Sequence, residues 1–294
     1  MRISGLVGCA ALLLSVVVAA QQKAAPAARA DSDNPWTTPV APFKIVGPIH
    51  YVGTKDLAVY LITTPQGHIL IDGAVPGMGG EIEKSIRTLG FKPEDIEILL
   101  TTQAHFDHVG TMAHMQKVSK ASVRVMQGDE TLVADGGTSD YLFGAQKDLH
   151  FEPTKVDVVL KDGDTVSLGG VTLTALRTPG HTPGAATYTM TLSDGGKTYK
   201  VVFPASVTVN PGTRLVKNPS YPGIADDFRR TLDRLDALTP DIYLTAHASA
   251  GNLAAKHARM KTEGARAFVD PAGYKALHAE KRATLDDLLK REGR

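Results

Sequence analysis

Gln103, His105, Asp107 and His108 place four side chains with metal-binding atoms within six residues of Thr101-Thr102-Gln103-Ala104-His105-Phe106-Asp107-His108-Val109-Gly110. The apolar run before them, Ile96 to Leu100, reads as a buried strand. In an extended segment residues i, i+2 and i+4 point to one side, so Gln103, His105 and Asp107 can converge. His108 falls where the chain turns into the next helix. Imidazole nitrogens and a carboxylate oxygen suit zinc, which takes about four ligands. A polar strand-to-helix loop is the plainer reading, but solvated loops rarely stack these groups together.

The sequence offers two more histidines at comparable places. Thr178-Pro179-Gly180-His181-Thr182-Pro183-Gly184 sets His181 in a loop stiffened by two prolines, with glycines that allow close backbone approach. Asp241 to Thr245 reads as a strand that ends in Ala246-His247-Ala248-Ser249. Of the ten histidines, only His105, His108, His181 and His247 stand at strand-end loops. His50, His68, His114, His150, His257 and His278 fall in strands, turns or helices and read as surface or packing residues.

Two β-rich halves must carry these groups. In the first, Lys44 to Val52, Leu57 to Thr63 and His68 to Asp72 read as strands, with a tight turn at Pro65-Gln66-Gly67. Met78 to Leu89 reads as a helix stopped by Gly90, with Ile82, Ile86 and Leu89 on one face. A second helix is expected from about Val109 to Val118, then a strand from Ala121 to Met126. Residues 135–152 read as a long loop, either functional or a flexible surface insertion. In the second half, Val156 to Leu160, Thr165 to Leu168 and Val171 to Leu176 are short strands. Ala185 to Leu192 and Tyr199 to Phe203 form a hairpin, and Asp226 to Leu238 is a helix. Asp270-Pro271 caps a last helix with Tyr274, Leu277, Leu285 and Leu288 on one stripe. The expected fold class is α/β: two sheets face to face with helices outside, in one domain, because the metal candidates are divided between the halves.

The chain of 294 residues, 43% hydrophobic and 21% charged, can bury a substantial core. Its 32 basic and 31 acidic residues give no electrostatic case for nucleic acid or an acidic membrane. Residues 1–20 carry Arg2, an apolar run from Leu6 to Ala20 and small residues at the end, the pattern of a secretory signal peptide; the run is short for a membrane anchor. Export to the periplasm is expected. Residues 21–42 are rich in Ala and Pro and read as an extended arm, and 43–294 as the domain. Trp36 either covers the domain or overhangs the site. Cys9 is the single cysteine, so disulfides and thiolate metal sites are excluded from the mature chain.

Together these stretches resemble the metallo-β-lactamase superfamily, whose His-x-His-x-Asp-His signature appears here with Gln103 for the first His. The likeness is greatest to subclass B3 of the class B β-lactamases, in the Pro-Gly-His-Thr-Pro-Gly loop, the Thr-Ala-His-Ala-Ser loop, Asn34 to Phe43, and Asn218-Pro219-Ser220-Tyr221-Pro222. The resemblance implies an αββα sandwich and two zinc ions: Gln103, His105 and His181 on the first, Asp107, His108 and His247 on the second. It implies hydrolysis of a small-molecule β-lactam, and so antibiotic resistance, with Asp107 orienting a zinc-activated hydroxide and with Ser206 and Thr208 contacting the substrate carboxylate; a strand-end cap is the plainer role for that last pair. No Asp or Glu occurs from Val201 to Ala225, where many hydrolases of the superfamily place a metal-bridging Asp. Gln103 departs from the common pattern, although a minority of the subclass carries Gln there. An amide oxygen binds zinc less well than imidazole, so the first site is expected to be the weaker. Ala205 stands where the subclass usually has Asp. Other readings are a zinc hydrolase of another ester or lactone, and a secreted zinc-binding protein with a degenerate site.

Overall fold

Gly47, at φ +52°, reverses the chain before Pro48. The first apolar run therefore makes two strands rather than the one expected over Lys44 to Val52: β1 (Phe43–Val46) and β2 (Ile49–Tyr51). The computed structural model describes residues 34–293; the leader segment 1–20 and the part of the arm before Asn34 lie outside the described residues. The described part of the arm is packed against the domain. Pro39 bridges to Thr54, and Trp36 packs on a small cluster containing Leu57 and Ala74.

Strands β3 (Tyr60–Thr64), β4 (Gly67–Ile71), β5 (Ile96–Leu100), β6 (Ser122–Met126) and β7 (Val158–Leu160) complete a seven-stranded sheet in chain order. Pairing is antiparallel from β1 to β4 and parallel from β4 to β7. The second sheet holds β8 (Thr165–Leu168), β9 (Val171–Arg177), β10 (Ala186–Asp194), β11 (Lys197–Phe203) and β12 (Ile242–Tyr243), in the order β12-β11-β10-β9-β8.

Alternation along the strands explains the layers. Ile69, Ile71, Ile98 and Leu100 point inward and meet Leu173, Tyr188, Val201 and Phe203 of the second sheet in one buried cluster. Leu70, Leu99, Val123 and Val125 point the other way. They are covered by α1 (Gly79–Thr88), through Ile82 and Ile86, and by α3 (Met112–Ser119), through Met112 and Met115. Strands β4 and β5 are largely apolar on both faces because both faces are covered, whereas Val158 and Val159 of the edge strand β7 are exposed. Beyond the second sheet lie α5 (Ile224–Asp236) and α7 (Pro271–Glu292), joined through Leu232, Leu235 and Leu285. The result is an αββα sandwich.

The single helix expected from Val109 to Val118 is two. The turn α2 (Phe106–Val109) ends at Gly110, and α3 begins at Met112. Gly110 has no room for a side chain: a Cβ would lie 2.4 Å from Phe106 O and 2.5 Å from Ala74 O. Two further helices, α4 (Glu130–Asp135) and α6 (Leu253–Glu263), carry weak sequence signals; α6 buries only Leu253 and Lys256. Asp270 caps α7 as expected, accepting from Gly273 N. The second sheet's last strand is shorter than Asp241 to Thr245, since the chain leaves it after Tyr243 to reach His247.

Candidate metal centre

Two buried carboxylates, Asp72 and Asp129, and the half-buried Asp56 fix the loops that carry the candidate ligands. At the end of β4, Asp72 accepts from Thr102 N at 2.6 Å, Thr102 Oγ1 at 2.8 Å and Thr101 Oγ1 at 3.2 Å, which pins the chain as it leaves β5. Asp129, just before α4, accepts from Ala104 N at 3.0 Å and, across the site, from Thr182 Oγ1 and Gly184 N at 2.6 Å each. It therefore joins the 101–108 loop to the 178–184 loop. Asp56 accepts from Ser249 N at 3.0 Å and faces His247 Nδ1 at 3.1 Å, locking the last loop to the β2–β3 connection. Asp72 and Asp129 satisfy donors that burial would otherwise leave unpaired, a cost of about 1–3 kcal/mol apiece.

These restraints bring the predicted residues together in two groups. Asp107 Oδ2 lies 3.3 Å from His108 Nε2 and 3.4 Å from His247 Nε2, and the two nitrogens are 3.3 Å apart. Bonds of about 2.0–2.1 Å at a tetrahedral centre put ligand atoms roughly 3.3–3.4 Å apart, so these three atoms form one face of a zinc tetrahedron. Among the described residues they are the group of His, Asp and Glu side chains close enough to share one ion. The second group is a pair, His105 Nδ1 and His181 Nε2, 3.1 Å apart. Gln103 is buried and accepts at Oε1 from Ser206 N at 2.9 Å. One oxygen lone pair is thus engaged before any ligand arrives.

The protonation states follow from the neighbours. His181 Nδ1 is 2.7 Å from Thr208 O, so that nitrogen carries the proton and Nε2 keeps its lone pair. Burial, reinforced by His105, pushes His181 down to about 3, leaving a neutral ring able to bind a metal. Burial would lower His247 too, but Asp107 and Asp56 outweigh it and raise the imidazole to about 9. Burial works against the Asp107 carboxylate, yet His108 and His247 hold it well below the usual range. A cation between them would replace the proton of His247, so metal uptake should release protons.

Asp140 and Asp56, which face these groups, were not singled out from sequence; Trp36 was, as covering the domain or overhanging the site. Asp140 Oδ2 stands 3.3 Å from His105 Nε2, both side chains being nearly inaccessible. Its Oδ1 accepts from Leu142 N at 2.7 Å and Phe143 N at 2.6 Å. The 135–152 loop therefore walls the site, with the Phe143 ring 5.2 Å from His105. Asp56 and Asp140 give His247 and His105 the carboxylate partners that set the orientation of metal-bound imidazoles. Trp36 donates Nε1–H to Asp56 Oδ2 at 3.2 Å, and its ring centroid is 5.7 Å from that of His247. The remaining histidines are elsewhere: His50 and His68 flank Phe91, His114 meets Glu83, His150 faces Gly144 O, His257 stacks on Phe43, and His278 packs on Tyr274.

A two-sheet sandwich whose edge gathers imidazoles and a carboxylate in this geometry is the arrangement of a metallo-hydrolase. The sequence model of the metallo-beta-lactamase superfamily matches residues 56–247, and the chain belongs to that superfamily. Among solved structures it is similar to the native FEZ-1 metallo-beta-lactamase of Legionella gormanii, at 41% identity and a TM-score of 0.86, over 87% of this chain and 98% of that one. It is similar also to BJP-1 of Bradyrhizobium japonicum, a subclass B3 metallo-beta-lactamase, at 38% identity and a TM-score of 0.83, over 89% and 98% of the two chains. Matches to curated proteins are more partial. The probable metallo-hydrolase YqgX of Bacillus subtilis is 29% identical over 143 residues, 49% of this chain and 62% of that protein. The chain thus spans little more than half the length of the curated relatives it first matches, 54% and 62%.

Proposed function

We propose that the chain is a zinc-dependent β-lactamase that opens the lactam amide bond and so confers antibiotic resistance, working in the periplasm after export. The observation that carries this reading is the three-atom face formed by Asp107, His108 and His247, in a chain 41% identical to FEZ-1 over nearly all of that enzyme. Asp107, His108 and His247 would hold one zinc, and His105 and His181, with Gln103, the other. Zinc supplies Lewis acidity, which activates water near neutral pH and polarises the scissile carbonyl. Asp107 would orient the attacking water: Oδ2 faces the two imidazoles, which leaves the other carboxylate oxygen to accept a hydrogen bond. His108 and His247 fix that carboxylate, and Asp56 fixes His247. Ser206 and Thr208, on the loop that touches Gln103 and His181, would contact the substrate carboxylate. No side-chain nucleophile takes part, so no acyl-enzyme should accumulate.

The test is turnover of a chromogenic cephalosporin before and after chelation. Full removal of zinc should abolish hydrolysis, and zinc should restore it; turnover that survives complete removal would overturn the reading. The partial likeness to an acyl-coenzyme A thioesterase, MBLAC2 of Gallus gallus, at 28% identity over 119 residues, favours a second reading, a zinc hydrolase of another ester or lactone. A substrate panel separates the two: hydrolysis of esters or lactones with none of any β-lactam would establish it.

The two metal positions should differ. Gln103 contributes an amide oxygen already bonded to Ser206 N, whereas the other position has two imidazoles and a carboxylate. Zinc should therefore fill the Asp107–His108–His247 position first. Titration of the apoprotein should show two unequal affinities, with Gln103→His narrowing the gap by about tenfold or more. Equal affinities in the unaltered protein would refute this order of filling.

A further inference from the structure

Arg177, Arg230 and Arg234 converge on a cavity of about 210 Å³ beside the loop that carries His181. No candidate metal ligand lines it. Pro179 of the loop and Thr231 of α5 are part of its wall, with Asp162 and Asp227. Arg177 ends β9, whereas Arg230 and Arg234, four residues apart, share one face of α5. The loop leans on these same elements. Thr231 Oγ1 donates to Pro179 O at 2.6 Å, and Arg177 Nη2 to Pro183 O at 2.7 Å. Gly180 meets α5 so closely that a Cβ would lie 2.8 Å from the Phe228 ring. The cavity therefore shares its supports with the segment from Pro179 to Pro183, which contains His181.

The charges in the wall do not balance. Three guanidinium groups meet two carboxylates, and those carboxylates are largely occupied. Asp227 accepts from Tyr221 OH at Oδ2 and from Arg230 at Oδ1. Asp162 Oδ1 accepts from Arg177 N at 2.9 Å and from Arg234 Nη1 at 2.6 Å. The guanidinium donors are less fully used. Among the described residues, Arg177 Nη1, Nε and Nη2 of Arg234, and Nε and Nη1 of Arg230 have no protein acceptor. Arg177 is also fixed, since its Nε donates to Gln127 O at 3.1 Å while Nη2 holds Pro183. A guanidinium held in this way presents its planar fork with little further freedom to lose, a geometry that suits the oxygens of an oxyanion. Volume narrows the class. Drug-sized ligands occupy about 300–1,000 Å³, so this cavity fits a small ion. Three cationic forks favour two negative charges over one.

We infer that the cavity is an anion site that takes a small tetrahedral dianion, sulfate or phosphate, and so braces the loop that presents His181. Such an ion would tie the end of β9 to α5 across the loop's own supports. The anion site stands by itself; the bracing of His181 rests on zinc occupying the His105–His181 position.

The test follows the Nε–H signals of Arg177, Arg230 and Arg234 by NMR in the zinc-loaded protein. Sodium sulfate replaces sodium chloride at constant ionic strength; sulfate is the probe because phosphate also competes for zinc. The three signals should shift together and saturate. Arg234→Met should raise the dissociation constant by about tenfold or more, because charge-assisted contacts are lost. Arg230→Met should do the same, and its side chain, 67% exposed, can be replaced without threat to the fold. Arg229→Met removes the same charge from the same helix outside the cavity and should leave binding unchanged. By reciprocity, saturating sulfate should tighten zinc at the His105–His181 position by about fivefold, and not in Arg230→Met. A shift that never saturates, or that weakens equally in Arg229→Met, would be diffuse screening and would overturn the site. Zinc affinity that is unchanged at saturating sulfate would overturn the bracing.

Discussion

Asp107→Asn should lower kcat/KM for a β-lactam by about a thousandfold or more and release zinc from the Asp107–His108–His247 position, with the fold retained. A positioned acid–base group contributes about 10²–10⁴ in rate, and this side chain is placed to act as a ligand as well. The asparagine has the same shape but no charge. The two imidazoles at 3.3 and 3.4 Å would lose the anion they share, and a zinc ion there would lose its only anionic ligand. The apoprotein should lose stability too, because His247, raised to about 9 in part by Asp107, would lose one of the two carboxylates that hold its proton. The carboxylate is buried, so its removal relieves a desolvation cost while it sacrifices the attraction of His108 and His247. The measurements are steady-state kinetics, zinc per chain after dialysis, and a thermal melt of the apoprotein. Turnover within tenfold of the unaltered enzyme, with zinc retained, would remove Asp107 from the chemistry. Unfolding would be diagnosed by the melt and answered with Asp107→Glu, which keeps the charge and should bind zinc yet turn over slowly because the carboxylate is displaced.

The parts of this architecture that were legible in the sequence are those with a local signature. His105, Asp107 and His108 stand out because metal-binding side chains crowd into four residues after a strand, but the alternation expected to set Gln103, His105 and Asp107 on one side does not hold: Asp107 lies in the α2 turn and meets His108 and His247, whereas His105 meets His181. The cap at Asp270-Pro271 and the alternation in β4 and β5 are likewise written within a few neighbouring residues. The supporting carboxylates are not. Asp56 faces His247 across 191 positions of chain, and Asp129 reaches Thr182 across 53. A lone Asp beside a strand or a helix has no local pattern to distinguish it from a solvated one. Asp72-Gly73 reads only as the end of a meander, although Asp72 sits at φ +62° to turn its carboxylate onto Thr101 and Thr102. Asp140 lies in a segment whose composition suits either a mobile insertion or a wall, and only its contact with His105 decides between them. At the break between α2 and α3 the backbone of residues 74–76 crowds Gly110 and leaves no room for a side chain, a tertiary contact that helical periodicity cannot carry.

Asp129→Ala should cost about 3 kcal/mol or more of folding stability, and it should cost zinc affinity even where the protein remains folded. The carboxylate is fully buried and receives three donors, Ala104 N, Thr182 Oγ1 and Gly184 N. Leaving them unpaired costs about 1–3 kcal/mol each, against a total stability of roughly 5–15 kcal/mol for a typical domain. Part of that loss is offset. Burial raises the Asp129 carboxyl to about 6 despite these donors, so at neutral pH its charge is itself held at a cost that alanine removes. Asp129→Asn should fall between: its single oxygen can keep Ala104 N and Thr182 Oγ1, but its amide would then face Gly184 N, donor to donor. The metal consequence is directional. Ala104 lies between Gln103 and His105, and Thr182 follows His181, so loosening Asp129 frees the His105–His181 pair more than the Asp107–His108–His247 face. Urea unfolding and zinc titration of the same variants therefore separate two effects. A stability within about 0.5 kcal/mol of the unaltered protein, the range of an ordinary surface change, would show that the two loops do not depend on this carboxylate. Equal weakening of both metal positions would show that they respond as one body.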